Sequence, residues 1–290
     1  MRKLLVVALV LVALVGATAT AGAINTYNSQ PAPERTEVGA YVALWDYPDD
    51  DEPARLDWVC SGAMIADDVL LTAAHCTTDW PDGARHFVSL EQNFQAILDA
   101  TPGTAAQQAA ALLASGKIVE GDPRWDAAYP GNASDPHDIG VLDFRSRALD
   151  PQDVWNFLPA QLPTAGQLDT AGTKTLEAAA WTAVGYGTSE AERGKGGHTY
   201  PNGGVRLKAP EGFNALTKSW VKLAMNQSRG FGGACYGDSG GPNFVMLGGQ
   251  FLLASTTITG DTPCYATNVT YRTDTESARS FLRTYVTLPQ

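Results

Sequence analysis

The stretch from Tyr236 to Pro242, Tyr-Gly-Asp-Ser-Gly-Gly-Pro behind Cys235, constrains this chain more than any other. It sets Ser239 among glycines, which take backbone conformations closed to other residues. A serine hydroxyl is a weak nucleophile until an imidazole takes its proton and a third group orients that imidazole. The chain has four histidines, His75, His86, His137 and His198, and all precede Ser239. His75 stands in Leu71-Thr72-Ala73-Ala74-His75-Cys76, after the apolar run Val69 to Leu71. Asp138 opens Asp138-Ile139-Gly140-Val141-Leu142, a short strand-like segment. The candidate order along the chain is His, Asp, Ser.

Gly237-Asp238-Ser239-Gly240-Gly241 also satisfies Gly-x-Ser-x-Gly, the nucleophile elbow of α/β-hydrolases. In those enzymes the histidine follows the serine, and here none does. The three segments Thr72-Ala73-Ala74-His75-Cys76, Asp138-Ile139-Gly140-Val141-Leu142 and Gly237-Asp238-Ser239-Gly240-Gly241-Pro242 instead resemble the chymotrypsin/trypsin family of serine endopeptidases. The likeness is to its secreted, bacterial-type members and runs from about Val38 to the C-terminus.

That resemblance implies an all-β fold: two antiparallel β-barrels and a C-terminal α-helix, with the site in the crevice between barrels. His75 and Asp138 come from the first barrel and Ser239 from the second. It implies Ser239 as nucleophile, His75 as general base and then acid, Asp138 as the group that fixes the imidazole, and the N–H groups of Gly237 and Ser239 as an oxyanion hole. Cys60 pairs with Cys76 and Cys235 with Cys264 in the family pattern. Asp238 matches the carboxylate that pairs with a newly exposed amine in activated relatives, and Ile24 is the residue matched to that amine. The chain reads Ile24-Asn25-Thr26-Tyr27 where relatives read Ile-Val-Gly-Gly. Ser255 matches a serine that bonds the triad aspartate and begins the strand that takes substrate backbone; Thr257 belongs to the same substrate-binding set. Gly233, six residues before Ser239, stands where trypsin-like members carry the aspartate that selects Arg or Lys. An uncharged floor predicts apolar or small side chains before the cleaved bond, unless Asp261, in the long segment Thr256 to Cys264, reaches the pocket.

The compartment reads from the N-terminus. Arg2 and Lys3, an apolar run Leu4 to Val15 and then Ala21-Gly22-Ala23 have the layout of a signal peptide cleaved after Ala23. That run falls short of the ~20 residues a spanning helix needs. Cleavage moves the formal charge from -11 to -13 by removing Arg2 and Lys3. An acidic surface without a Lys/Arg cluster excludes nucleic acid as a partner. The partners are a polypeptide substrate and, for such a cleft, a protein inhibitor; the expected state is a secreted, extracellular monomer without a membrane anchor. Four cysteines in an exported chain form two disulfides, and residues alone leave three pairings open. They make no Cys-x-x-Cys pair, so neither a metal nor another cofactor is expected.

Short β-branched and aromatic runs punctuated by Gly, Pro, Asn and Asp predict strands at Tyr41 to Trp45, Ala63 to Ile65, Val69 to Ala73, Trp181 to Gly185 and Trp220 to Met225. Phe244 to Leu247 and Phe251 to Ala254 flank Gly248-Gly249-Gln250, a hairpin signal. The expected layout is signal 1–23, first lobe 24–150, linker 151–172 and second lobe 173–290. Ala-rich sequence between Glu91 and Gly116 predicts one or two short helices in a surface insertion of the first lobe. Asp49, Asp50, Asp51, Glu52 and Asp57 lack calcium-loop spacing and read as a solvated turn. Thr273-x-x-Glu276 reads as a capping box before a helix with Ala278, Phe281, Leu282, Tyr285 and Val286 on one face.

Overall fold

The computed structural model describes residues 24–48 and 51–290; the signal segment 1–23 and the acidic pair Asp49 and Asp50 lie outside the described residues. Strand follows strand almost throughout. The first half contains β1 (Gln30–Pro31), β2 (Val38–Trp45), β3 (Arg55–Ala66), β4 (Val69–Thr72), β5 (Arg85–Ser89), β6 (Val119–Trp125) and β7 (Gly140–Asp143). The second contains β8 (Trp181–Gly185), β9 (Glu192–Gly194), β10 (Gly197–Thr199), β11 (Leu207–Leu216), β12 (Trp220–Ala224), β13 (Pro242–Leu247), β14 (Gln250–Gly260) and β15 (Thr267–Arg272).

Both sets close on themselves, which removes the exposed edges that an open sheet would leave. The first barrel runs β2-β3-β4-β7-β6-β5 with β2 pairing β5, all antiparallel. The second runs β8-β11-β12-β15-β14-β13 and returns to β8, with β1 added beside β11. This is the two-barrel chymotrypsin-like fold. Tyr41, Met64, Leu70, Val88 and Leu142 fill the first barrel; Trp181, Val221, Leu223, Val245 and Leu252 fill the second. A further core joins them, packing Val42 and Phe87 of one barrel in the same cluster as Phe244 and Leu253 of the other. The β13–β14 hairpin turns where Gly248 and Gly249 both take positive φ (57° and 80°), the backbone its tight turn requires.

Between β5 and β6 the predicted helices form as α1 (Phe94–Ala100) and α2 (Ala105–Ala114). Thr104 and Gln107 cap α2 reciprocally, which contributes about 1 kcal/mol, while Ala109 and Leu112 face the core. Burying Leu112 alone contributes about 2 kcal/mol, so packing rather than capping fixes this helix in place. The inter-lobe stretch holds α3 (Pro151–Val154) and α4 (Gln167–Ala171) and is tied to both barrels. Ala160 N donates to Met64 O (2.8 Å), and Leu253 N to Gln161 O (2.8 Å). α5 (Thr173–Ala178) leads into β8. The terminal helix, α6, is Glu276–Leu282, shorter than its apolar spacing predicts, so Tyr285 and Val286 fall beyond its end. Its cap is Thr275, whose side chain accepts from Ala278 N, and not Thr273. The Thr273 hydroxyl is spent on Leu253 O and Ala254 O.

Candidate active site

His75 and Asp138 meet because β4 and β7 are antiparallel neighbours. Thr72 pairs with Gly140, so the residues just past the end of β4 and just before β7 emerge on one rim. His75 sits in a 3-10 turn, Ala74–Cys76, pinned to β3 by the Cys60–Cys76 disulfide. Its backbone N donates to Asp138 Oδ1 (3.0 Å), and its Nδ1 pairs with Asp138 Oδ2 at 2.9 Å. Asp138 is buried and His75 partly exposed. An imidazole held through Nδ1 presents Nε2 outward, the orientation a general base needs.

Ser239 comes from the second barrel, on the loop between β12 and β13, and is pressed against that rim. A Cβ on Gly240 would come 2.0 Å from Thr72 Oγ1, so glycine is required for the approach. Ser61 N donates to Ser239 O (2.9 Å) and Gly240 N to Thr257 O (2.7 Å). Among the described residues no hydrogen bond joins the His75 ring to the Ser239 hydroxyl, a contact that tightens only with substrate in many enzymes of this kind.

The peptide planes beside Ser239 are fixed by their carbonyls. Thr188 N donates to Tyr236 O (2.6 Å) and Gly241 N to Asp238 O (2.8 Å). In a trans peptide N–H and C=O point opposite ways, so each carbonyl bond aims the following N–H, those of Gly237 and Ser239, away from its own partner. Gly237 holds φ +89°, and its carbonyl accepts from Ser61 Oγ (2.9 Å). The chemistry available to this arrangement is acyl transfer to a serine.

The model of the family described as Trypsin matches residues 48–276, most of both barrels and all three of His75, Asp138 and Ser239. The chain belongs to the trypsin family. No curated protein matches it. Membership gives it a serine-protease-like function directed at polypeptides.

Asp238 is the most perturbed group beside the serine of this trypsin-family chain. Burial pushes its carboxyl up to about 7, against the N–H groups of Cys235 (2.8 Å) and Gly187 (2.8 Å), which favour the charged form. Ile24 is wholly buried in sequence-distant company, with Ala183, Leu207 and Ala209. Asn25 N donates to Gly233 O (3.0 Å), Asn25 Oδ1 accepts from Gly233 N (3.1 Å) and Asn25 Nδ2 donates to Cys264 O (3.0 Å). The segment after Ile24 is thus docked on the loop that leads to Ser239.

A cavity of about 120 Å³ opens beside Ser239, lined by Ala234, Tyr236, residues 257–260, Asp261, Asn268 and the Cys235–Cys264 disulfide. Thr257, which the resemblance assigns to substrate binding, lines it. Gly233 does not: it stands behind this wall, where a Cβ would meet Met225 Sδ (2.5 Å) and Glu211 Oε1 (2.6 Å). Asp261 lines the cavity, but its carboxylate is occupied by the N–H groups of Tyr265, Ala266 and Thr267. Ser255 is not brought to Asp138. It lies wholly buried inside the second barrel, its hydroxyl accepting from Thr270 Oγ1 (2.7 Å), while residues 257–260 are the part of β14 that reaches the cavity.

The other histidines are elsewhere: burial lowers His86 to about 4 beside Tyr41, His137 pairs with Asp126 (2.8 Å), and His198 lies in the exposed β9–β10 hairpin. Cys60, His75 and Cys76 cluster closely, but the sulfurs are joined and offer no thiolate to a metal. Ser61 and Thr188 escape sequence reasoning because no local pattern marks them; they act only through contacts at long range.

Proposed function

We propose that the protein is an exported serine endopeptidase working through a His75, Asp138, Ser239 triad. The observation that carries the reading is the His75–Asp138 side-chain pair at 2.9 Å on the rim against which the Ser239 loop is pressed. Ser239 Oγ attacks the scissile carbonyl carbon as its proton passes to His75 Nε2; Asp138 stabilises the imidazolium. The N–H groups of Gly237 and Ser239 bind the oxyanion. The C–N bond then breaks as His75 returns the proton to the leaving amine; water, deprotonated by His75, attacks the acyl carbon, and the bond to Ser239 Oγ breaks as His75 gives that proton back to Oγ.

Residues 1–23 act as a signal peptide in this reading, and two disulfides suit an oxidising compartment. Signal removal frees the Ile24 amine to pair with Asp238, a buried carboxyl otherwise held by backbone N–H groups. The pocket takes neutral side chains before the cleaved bond: Ala234, Tyr236, Thr257 and Asn268 line it without charge, and the Asp261 carboxylate is spent on the N–H groups of its own turn.

The test is mass spectrometry of the secreted protein with and without a fluorophosphonate. An adduct on Ser239 in a chain beginning at Ile24 is expected. No adduct in a chain beginning at Ile24 would sink the catalytic reading, and labelling of a chain beginning downstream of it would remove the Ile24–Asp238 pairing alone.

A further inference from the structure

The helical segment Phe94–Ala114 reads from sequence as a surface insertion, yet its first turn is wired to the loop before Ser239 through one indole. Trp58, on β3 two residues before Cys60, lies against three glycines. A Cβ on Gly237 would come 2.3 Å from Trp58 Cζ3, one on Gly203 2.3 Å from Cζ2, and one on Gly204 2.7 Å from Nε1. The far edge of the ring is held by α1: Trp58 Nε1 donates to Gln95 Oε1 (2.7 Å). Gln95 is itself anchored twice, its N donating to Gly204 O (3.0 Å) and its Nε2 to Asp99 Oδ1 (2.8 Å).

We propose that Trp58 is a positioning residue for the Gly237 N–H, and that the Phe94–Ala114 segment acts on the site by orienting Trp58 through Gln95. The proposal rests on the reading of Gly237 and Ser239 as oxyanion donors. Glycine at φ +89° has no side chain to hold it there, and neighbouring conformations are open to it at little cost. Thr188 N fixes one side of the Tyr236–Gly237 peptide, by its carbonyl. The indole closes the space on the Cα side, so the N–H keeps its direction before substrate arrives, which is where an oxyanion hole gets its advantage.

The experiment compares Trp58→Ala, Trp58→Phe and Gln95→Ala in the full secreted protein, counting competent sites by fluorophosphonate labelling. For Trp58→Ala the expected loss is roughly 10- to 100-fold in kcat, since a displaced donor costs part of what a deleted one does, with KM nearly unchanged. Affinity for a peptide aldehyde, whose hemiacetal places an oxyanion in the hole, falls in parallel, while the matching peptide alcohol binds as before. Trp58→Phe restores most of the loss, and Gln95→Ala shows about 3- to 10-fold of it. A Trp58→Ala protein with unchanged kcat and aldehyde affinity overturns the proposal; so does a loss confined to KM, which would make Trp58 a substrate contact. If the wild type turns over no peptide, the functional reading has failed on its own. The wiring is then read from the Gly237 amide resonance in glycine-labelled protein, which shifts in Gln95→Ala if the indole holds it and stays put if it does not.

Discussion

The two halves of the site are built by opposite means. His75 and Asp138 meet side chain to side chain on the rim of one barrel, just beyond the ends of adjacent strands, with a disulfide beside them. Ser239 stands on a loop whose useful geometry is backbone, held by Ser61 and the Trp58 ring from the first barrel, Thr188, and the docked segment after Ile24. The first half needs only its own barrel to fold. The second is conditional on contacts that arrive from three distant parts of the chain, so that is the half open to being switched.

Chemistry gives the largest effects and hits both halves. Ser239→Ala should lower kcat by on the order of 10⁶ and abolish fluorophosphonate labelling, and Asp138→Asn by about 10⁴ through the wrong imidazole tautomer, both with unchanged thermal unfolding. A labelled Ser239→Ala protein would move the nucleophile elsewhere. Gly237→Ala tests the backbone half by itself. A Cβ at φ +89° and 2.3 Å from Trp58 must displace the loop, so kcat should fall about 10²- to 10³-fold while the His75–Asp138 pair stays intact by NMR. A variant within twofold of wild type would show that the loop is less constrained than its contacts imply.

The third contrast is in pH. In chain still carrying residues before Ile24, Asp238 is raised from 3.8 to about 7 by burial. A raised carboxyl gives stability that is fully present below pH 4 and lost as pH rises through 7. Glu211, raised to about 8 by burial, adds a slope of the same sign, so the measurement is a difference. Denaturant unfolding between pH 4 and 8 should be flatter for Asp238→Asn than for the parent, and on the proposed Ile24–Asp238 pairing it should likewise be flatter than the parent in chain beginning at Ile24. Equal slopes in parent and Asp238→Asn would mean that Asp238 does not titrate in this window. The smallest effect is expected at Gly233→Asp. Its Cβ would press on Met225 and face Glu211, outside the cavity lining, so kcat/KM for Arg and Lys peptides should rise less than about tenfold. A large gain would place position 233 in the pocket after all.

Much of this was legible in residues. Trp181–Gly185 is a strand over its whole predicted length, the Gly248–Gly249 turn closes its hairpin, and the Ala-rich stretch forms two helices, because each rests on local propensity and turn chemistry. Thr275 rather than Thr273 caps α6, since a tertiary partner claimed the Thr273 hydroxyl first. Ser255 failed for a similar reason: it matches the family's serine on residue type in Ala254-Ser255-Thr256, but strand register turns it into the barrel interior against Thr270.

By itself the sequence determined the order of His75, Asp138 and Ser239, the glycines that let the serine loop form, and the all-β pattern, because these depend on residue type and short-range conformation. Only the tertiary structure decided what holds the loop: Ser61, Thr188, Trp58 with Gln95, and Asn25 on Gly233. Those partners act through hydrogen bonds and close packing between residues far apart in the chain. Their spacing carries no periodic signal, and closure of the two barrels is what brings them together.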